Sequence, residues 1–265
     1  QHAATYNTYR FLPARDFELR IADHYLAWGP LPGSASSAPT VPCPALSHYV
    51  ERARRASARR HDPQDLVFFA NQFVPHLMDF RSSVRAHGSD EYFDWQIRFF
   101  DALSSETRSH VILRVKGRSD SSLYAFVKRR FPEITIEGKE VSFDERIRGC
   151  RLAVCDCLTQ VYAECLMLVP TVLFWDPLIW DQCAAAQALH GALRQAGIYQ
   201  DSPEAAAEHV GAVWSHPEAW WRGAAVAAAR DEYLHGLFDI SADWQATWSA
   251  LLERQWKIAK VGPGD

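Results

Sequence analysis

The stretch CDCLTQVYAECLMLVPTVLFWDP, residues 155–177, sets Asp156, Thr159 and Glu164 on a short path between two apolar runs. With the first run a strand and the next residues a helix, Thr159 stands at the helix N-terminus. There its hydroxyl and the free amides of the first turn can hold an anion; the alternative is that Thr159 only caps the helix. Glu164 falls in the next turn and a half, where its carboxylate could accept both hydroxyls of a ribose or simply be solvated. A second stretch, VKGRSDSS (115–122), brackets the flexible Gly117 between Lys116 and Arg118. Two cations on such a loop suit a phosphate or a sugar carboxylate, or form an exposed basic loop. In NQFVPH (71–76), Asn71 follows an apolar run and could meet a ligand at the same edge. QHAATYN (1–7) sets the His2 imidazole beside the Gln1 amide.

Other chemistries are excluded by missing patterns. The chain has no G-x-S-x-G, H-E-x-x-H, kinase or paired-carboxylate motif, and 115–122 is neither a Walker sequence nor G-x-G-x-x-G. Five of the six cysteines lie between Cys150 and Cys183, with Cys155 and Cys157 on one face of a strand-like run. No second C-x-x-C or His pair completes a zinc site, so these read as buried reduced thiols and no metal is expected.

The elements that must position these residues alternate. Short apolar runs bounded by polar residues, the form of buried parallel strands, occur at DLVFFAN (65–71), SHVILRVKG (109–117), ITIEG (134–138), RLAVCDC (151–157) and PTVLFWD (170–176). Helical spacing fills the intervals at 90–106, 121–132, 142–150 and 159–168. Long helices follow at 180–197, 202–214, 217–238 and 241–260; Ser202 as N-cap with Pro203 at the first helical position is a strong start signal. Before the alternation, LRIADHYLAWG (19–29) reads as a short buried strand ending in a turn, and the Pro-, Gly- and Ser-rich residues 30–63 as a linker. Alternating strands and helices imply an α/β fold, a Rossmann-like parallel sheet with helices on both faces, whose ligands lie beyond the carboxyl ends of the strands.

Composition sets further bounds. A 48% apolar and 23% charged content is that of a soluble globular protein, and 265 residues allow a sizeable core. No apolar run approaches the ~18–20 residues that span a bilayer. The net charge of −4 gives no general attraction to nucleic acid. The basic run ERARRASARRH (51–61) stands against it and reads as a solvated helix or linker beside an acidic or membrane-facing surface. A start at Gln1, with neither Met nor a signal-peptide pattern, leads us to expect a piece of a longer chain.

The joint spacing of these segments resembles a family of bacterial transferases from surface-carbohydrate loci, with GT-B glycosyltransferase architecture and a relation to CMP-Kdo-using transferases. Its segment Q-H-G-G…I-x-D-x-x-x-x-W-G is matched by Gln1, His2, Asp23, Trp28 and Gly29. Its segment E-T-L-A-x-x-x-P-T-I-x-F-W is matched by Glu164, Pro170, Thr171, Phe174 and Trp175, with Thr159 ahead of it; the closing helices share the paired Trp220 and Trp221. The resemblance covers nearly the whole chain. Ala3 and Ala4 replace the paired glycines, and CDCLTQ replaces an Asn-Ser/Thr-rich turn.

The resemblance implies two Rossmann-like lobes with the site between them. Residues 1–29 would end the N-terminal, acceptor-side lobe, 30–63 link it to a nucleotide-sugar-binding lobe at 64–240, and 241–265 form a C-terminal helix. It implies glycosyl transfer without cofactor or metal, consistent with the absence of a D-x-D motif. The donor would be a nucleotide sugar, best taken as CMP-Kdo, and the acceptor a glycan or lipid-linked glycan. Arg114, Lys116 and Arg118 would meet the sugar carboxylate; Lys116, Arg118 and Thr159 the phosphate; Glu164 the ribose; Gln1 and His2 the sugar or phosphate as catalytic residues. The expected place is the cytoplasm, in peripheral contact with the inner face of the inner membrane, with no nucleic-acid partner. Competing expectations are an epimerase-type nucleotide-sugar-modifying enzyme, separable by its lack of an acceptor, and a non-catalytic assembly lobe, which would bind no nucleotide.

Overall fold

The computed structural model describes residues 1, 4–33, 38–54, 63–71, 89–115 and 124–261. Among them six strands form one parallel sheet: β1 (Asp65–Phe69), β2 (Val111–Arg114), β3 (Thr135–Glu137), β4 (Cys150–Cys155), β5 (Thr171–Phe174) and β6 (Tyr199–Gln200). Their order is β3-β2-β1-β4-β5-β6. Five strands agree with the sequence reading; the two-residue β6 is too short for any periodicity to announce it.

Side chains along each strand alternate between the two faces, as a period of two requires. Leu66 and Phe68 of β1, Leu152 and Val154 of β4, and Val172 and Phe174 of β5 enter one core. Val67, Phe69, Ala153, Cys155 and Leu173 enter the other. The first core is closed by α3 (Ser89–Ala102), α5 (Ala125–Arg130) and α9 (Pro203–Val213), with α3 packed on α9. The second is closed by α2 (Pro44–Arg54), α7 (Gln160–Leu168), α8 (Ala184–Gln195) and α11 (Ala224–Leu237). Short helices α4 (Ser105–Ser109), α6 (Phe143–Gly149) and α10 (Pro217–Trp221) fill connections, and α12 (Trp244–Val261) closes the chain. The fold class is therefore α/β, a Rossmann-like sheet covered on both sides.

The N-terminal third departs from expectation. Residues 19–29 do not form a strand: Leu19–Ile21 close α1 (Pro13–Ile21), and only Ala27 makes an isolated parallel bridge, to Thr40. Pro13 fits the first turn of α1, where a missing N–H costs nothing. The buried Arg15 then holds the preceding turn by donating to Tyr6 O and Tyr9 O, both at 3.0 Å. Residues 30–63, expected to lack regular structure, contain α2, which runs from Pro44 through a stretch free of Gly and of further Pro. The helix expected over 217–238 is two, α10 and α11, because Gly223 takes a non-helical N-cap conformation between them.

Gly29 explains how the N-terminal segment sits on this body. Its φ is 157°, and a Cβ there would fall 2.2 Å from Leu237 O at the end of α11. Only glycine permits that approach. The Asp239 amide then donates to Trp28 O at 2.7 Å, and the Cys43 amide to Asp239 O at 2.7 Å. All six cysteines are free and buried, as the sequence implied.

Candidate functional site

β1 lies between β2 and β4. The next described helix after β1, α3, covers one face, while α7, after β4, covers the other. Loops leaving adjacent parallel strands toward opposite faces open a crevice at the carboxyl ends, the usual ligand position in such sheets. A cleft of about 410 Å³ lies there. Asn71 at the end of β1, Arg114 and Val115 at the end of β2, and Thr159, Gln160 and Glu164 around the start of α7 form part of its lining. Tyr49 of α2, Phe69 of β1 and Phe143 of α6 supply an aromatic wall, with Phe143 centred 6.4 Å from Tyr49 and 5.7 Å from Phe69.

Four residues singled out from sequence thus share one cleft: Asn71, Arg114, Thr159 and Glu164. Thr159 holds the N-cap position of α7 with extended backbone, yet its side chain makes no capping bond. Its hydroxyl lies 3.9 Å from Cys157 Sγ. Glu164 is buried rather than solvated, at 8% exposure, and its Oε1 accepts from Gln160 Nε2 at 2.8 Å.

Arg114 is differently placed from what a sugar carboxylate would need. Its guanidinium pairs with Glu137 and donates to Gly138 O and Val141 O at 3.3 and 2.7 Å. Glu137 also pairs with Arg146, which reaches Asp65 at 2.8 Å. Two cations and two carboxylates balance, so the charge of Arg114 is met within the protein. Gln1 is not among the residues lining the cleft. Its side-chain amide donates to Asn7 Oδ1 at 2.5 Å and accepts from the Trp28 amide at 2.8 Å, fastening the N-terminal loop. His2, Lys116, Gly117 and Arg118 lie outside the described residues.

Asp156 is buried and is not among the residues lining the cleft. Tyr92 Oη accepts from the Asn71 amide and donates to Asp156 Oδ1, each at 2.9 Å, and Gln96 Nε2 donates to Asp156 Oδ2 at 2.6 Å. Tyr124 Oη donates to Asn71 O at 3.3 Å. Asp156 thereby joins the loop after β4 to the loop after β1, the two edges of the cleft. Burial, against the opposing pull of the bonds from Gln96 and Tyr92, raises its carboxyl pKa to about 7.

The residues 1–252, N-terminal segment and cleft alike, match a family model described as LIC12162 family transferase. The chain belongs to that family. LIC12162 family membership therefore stands on nearly the whole sequence. A crystal structure of WaaG, a glycosyltransferase involved in lipopolysaccharide biosynthesis, superposes with a TM-score of 0.40 at 15% identity, over 84% of this chain and 52% of that one. The spinosyn rhamnosyltransferase SpnG gives a TM-score of 0.42 at 16% identity, over 81% of this chain and 53% of that one. The chain spans about half the length of these two solved structures. No curated protein matches it.

Sequence reasoning missed Lys139, Tyr49 and Phe143. Lys139 follows β3 in ITIEGKE, so the rule that selected Lys116, a cation just past a strand's carboxyl end, selects Lys139 equally. Tyr49 lay inside the supposed linker and Phe143 inside a short helix, and no local pattern marks either as part of a wall. Among the described residues no helix is long and apolar enough to cross a membrane, and no group of three or more His, Cys, Asp or Glu is disposed to hold a metal.

Proposed function

We propose that this chain is the nucleotide-sugar-binding half of a glycosyltransferase of bacterial surface-polysaccharide synthesis. The observation that supports it most is the cleft at the β1–β4 crevice, with Glu164 and the start of α7 on one side and three aromatic rings among its walls, in a chain of a transferase family. Glu164 would hold the ribose hydroxyls, the aromatic wall the base, and Asn71 the ligand's edge at β1. Thr159 and the first amides of α7 would face the phosphate.

Transfer breaks the bond from the anomeric carbon to the phosphate oxygen and forms one to an acceptor hydroxyl oxygen, whose proton leaves to a base. Fixed dipoles and cations stabilise the departing phosphate; for these we assign Thr159, Lys116 and Arg118, with Gly117 allowing close approach. Gln1 and His2 as contacts to sugar or phosphate rest on the family resemblance. So do Kdo from CMP-Kdo as donor, a glycan or lipid-linked glycan as acceptor, and a place at the cytoplasmic membrane face. With Arg114 already paired, the sugar carboxylate of that donor would fall to Lys116 and Arg118.

Calorimetric titration with CMP, UDP, GDP and ADP, without added metal, tests this. One nucleotide should bind selectively, and Glu164→Ala should weaken it roughly ten-fold or more by removing a charged acceptor. Selective binding of a nucleotide other than CMP removes CMP-Kdo but keeps a transferase. Absence of binding by all four defeats the proposal. Turnover of a nucleotide sugar without any acceptor would favour the epimerase type instead.

A further inference from the structure

One turn at the cleft rim is tied down from several directions. Residues 138–142 connect β3 to α6 and carry the exposed Lys139, which lines the cleft. The Val115 amide donates to Glu137 O at 2.8 Å, just before the turn. Arg114 donates to Gly138 O on one side of Lys139 and to Val141 O on the other. Arg146, from the helix that follows, grips Glu137 and Asp65. An exposed turn with a solvated lysine needs no such bracing; a turn that must hold a charge in one place does.

Arg114, Glu137, Arg146 and Asp65 neutralise one another, whereas Lys139 has no hydrogen-bond or ion-pair partner among the described residues. A lysine on a fixed backbone, facing a cleft with an apolar aromatic wall, is poised for a ligand anion. Its four-carbon stem lets the ammonium follow that anion, while the braced backbone limits the entropy lost on contact.

We propose that Lys139 contacts the phosphate of a ligand in this cleft, and that Arg114 is the positioning residue that holds it there. This rests on the nucleotide-sugar reading for the identity of the ligand, though not for its anionic character. Arg114 thus acts through the backbone of its neighbour's turn rather than by touching the ligand.

The test compares affinities for CMP, UMP, GMP and AMP with those for the matching nucleosides, and adds inorganic pyrophosphate as a probe without base or ribose. In the unmodified chain the bound nucleotide should be preferred over its nucleoside. Lys139→Met, which keeps the length of the stem, should cut that preference roughly ten-fold by removing a charge-assisted contact, and leave nucleoside affinity unchanged. Lys139→Arg should retain it. Arg114→Met should lose part of the preference while the chain stays folded by circular dichroism, because Glu137 keeps Arg146.

An unchanged preference in Lys139→Met overturns the proposal and leaves the nucleotide reading standing. Pyrophosphate binding that requires Lys139, with no nucleotide bound, upholds the proposal and overturns the nucleotide reading. Absence of binding by every probe defeats both. Equal loss for nucleotide and nucleoside in Lys139→Met also overturns it, since that would mark a structural role.

Discussion

The two faces of the sheet are built from different chemistry. The face under α3, α5 and α9 is closed by Phe68, Phe99, Phe100, Phe131 and Phe174, with Phe68 centred 5.0 Å from Phe100 and Phe99 5.1 Å from Phe174. The opposite face holds all six cysteines together with Tyr6, Tyr9, Tyr162, Tyr233 and Trp175. Buried polar groups, among them Arg15, Glu164 and His190, interleave with that second core. The cleft opens on this polar-handled side, where Glu164 and Tyr49 come from its helices. Phenylalanine rings fill space and carry no hydrogen-bonding group, so one face supplies cohesion; thiols and phenols pack while offering polar atoms, so the other can tolerate a site.

The largest effect that would separate the faces is expected at Phe68. Phe68→Ala removes a fully buried ring from the phenylalanine-rich core and should cost about 3–5 kcal/mol in denaturant unfolding. Nucleotide affinity of the fraction still folded should be unchanged. If that affinity falls instead, the two faces are coupled and the contrast between them is wrong.

Asp156→Asn sharpens the contrast through pH. The carboxyl titrates near 3.8 when unfolded and near 7 when folded, so the native state holds a proton over that interval that the unfolded state lacks. Stability is then full below pH 4, falls as pH rises toward 7 and levels off above it, by at most about 4 kcal/mol in all. Asparagine does not titrate, and a turned Gln96 amide can offer it Oε1, which has no partner among the described residues. The variant should therefore gain stability over the unmodified chain as pH rises from about 4 to about 7 in paired urea melts. A gap that does not widen with pH would show that Asp156 is not a desolvated carboxyl.

The smallest effect concerns two helix starts. Ser202 Oγ accepts from the Ala205 amide at 3.1 Å, whereas the Thr159 side chain caps nothing. Ser202→Ala should cost about 1 kcal/mol of stability. Thr159→Ala should change stability by less than about 0.5 kcal/mol, as for a side chain without such a role, and act on nucleotide affinity. Equal losses of stability would return Thr159 to the role of an ordinary cap.

Much of the fold was legible because its signals are local. Leu66 to Phe69 and Leu152 to Cys155 are unbroken apolar runs of strand length, and Ser202-Pro203 announces a helix within two residues. The N-terminal third was misjudged where local signals conflict. Proline at 44 read as a breaker although it opens a helix, and the apolar residues of 19–29 read as a strand although Leu19–Ile21 close a helix and Gly29 sets the end of that segment against α11.

Within the site, the sequence by itself determined which residues stand at the ends of strands and the start of α7. Asn71, Arg114, Thr159 and Glu164 meet in one cleft because parallel strands deliver their carboxyl ends to one edge. Tertiary structure alone decided what each can do there. Arg114 is neutralised by Glu137, 23 residues on, and Asp156 is held by Tyr92, 64 residues back. Such pairings depend on which strands are neighbours and how deep each group is buried. The charge of Arg114 is met within the fold, whereas Lys139 has no hydrogen-bond or ion-pair partner among the described residues and keeps its reach for a ligand.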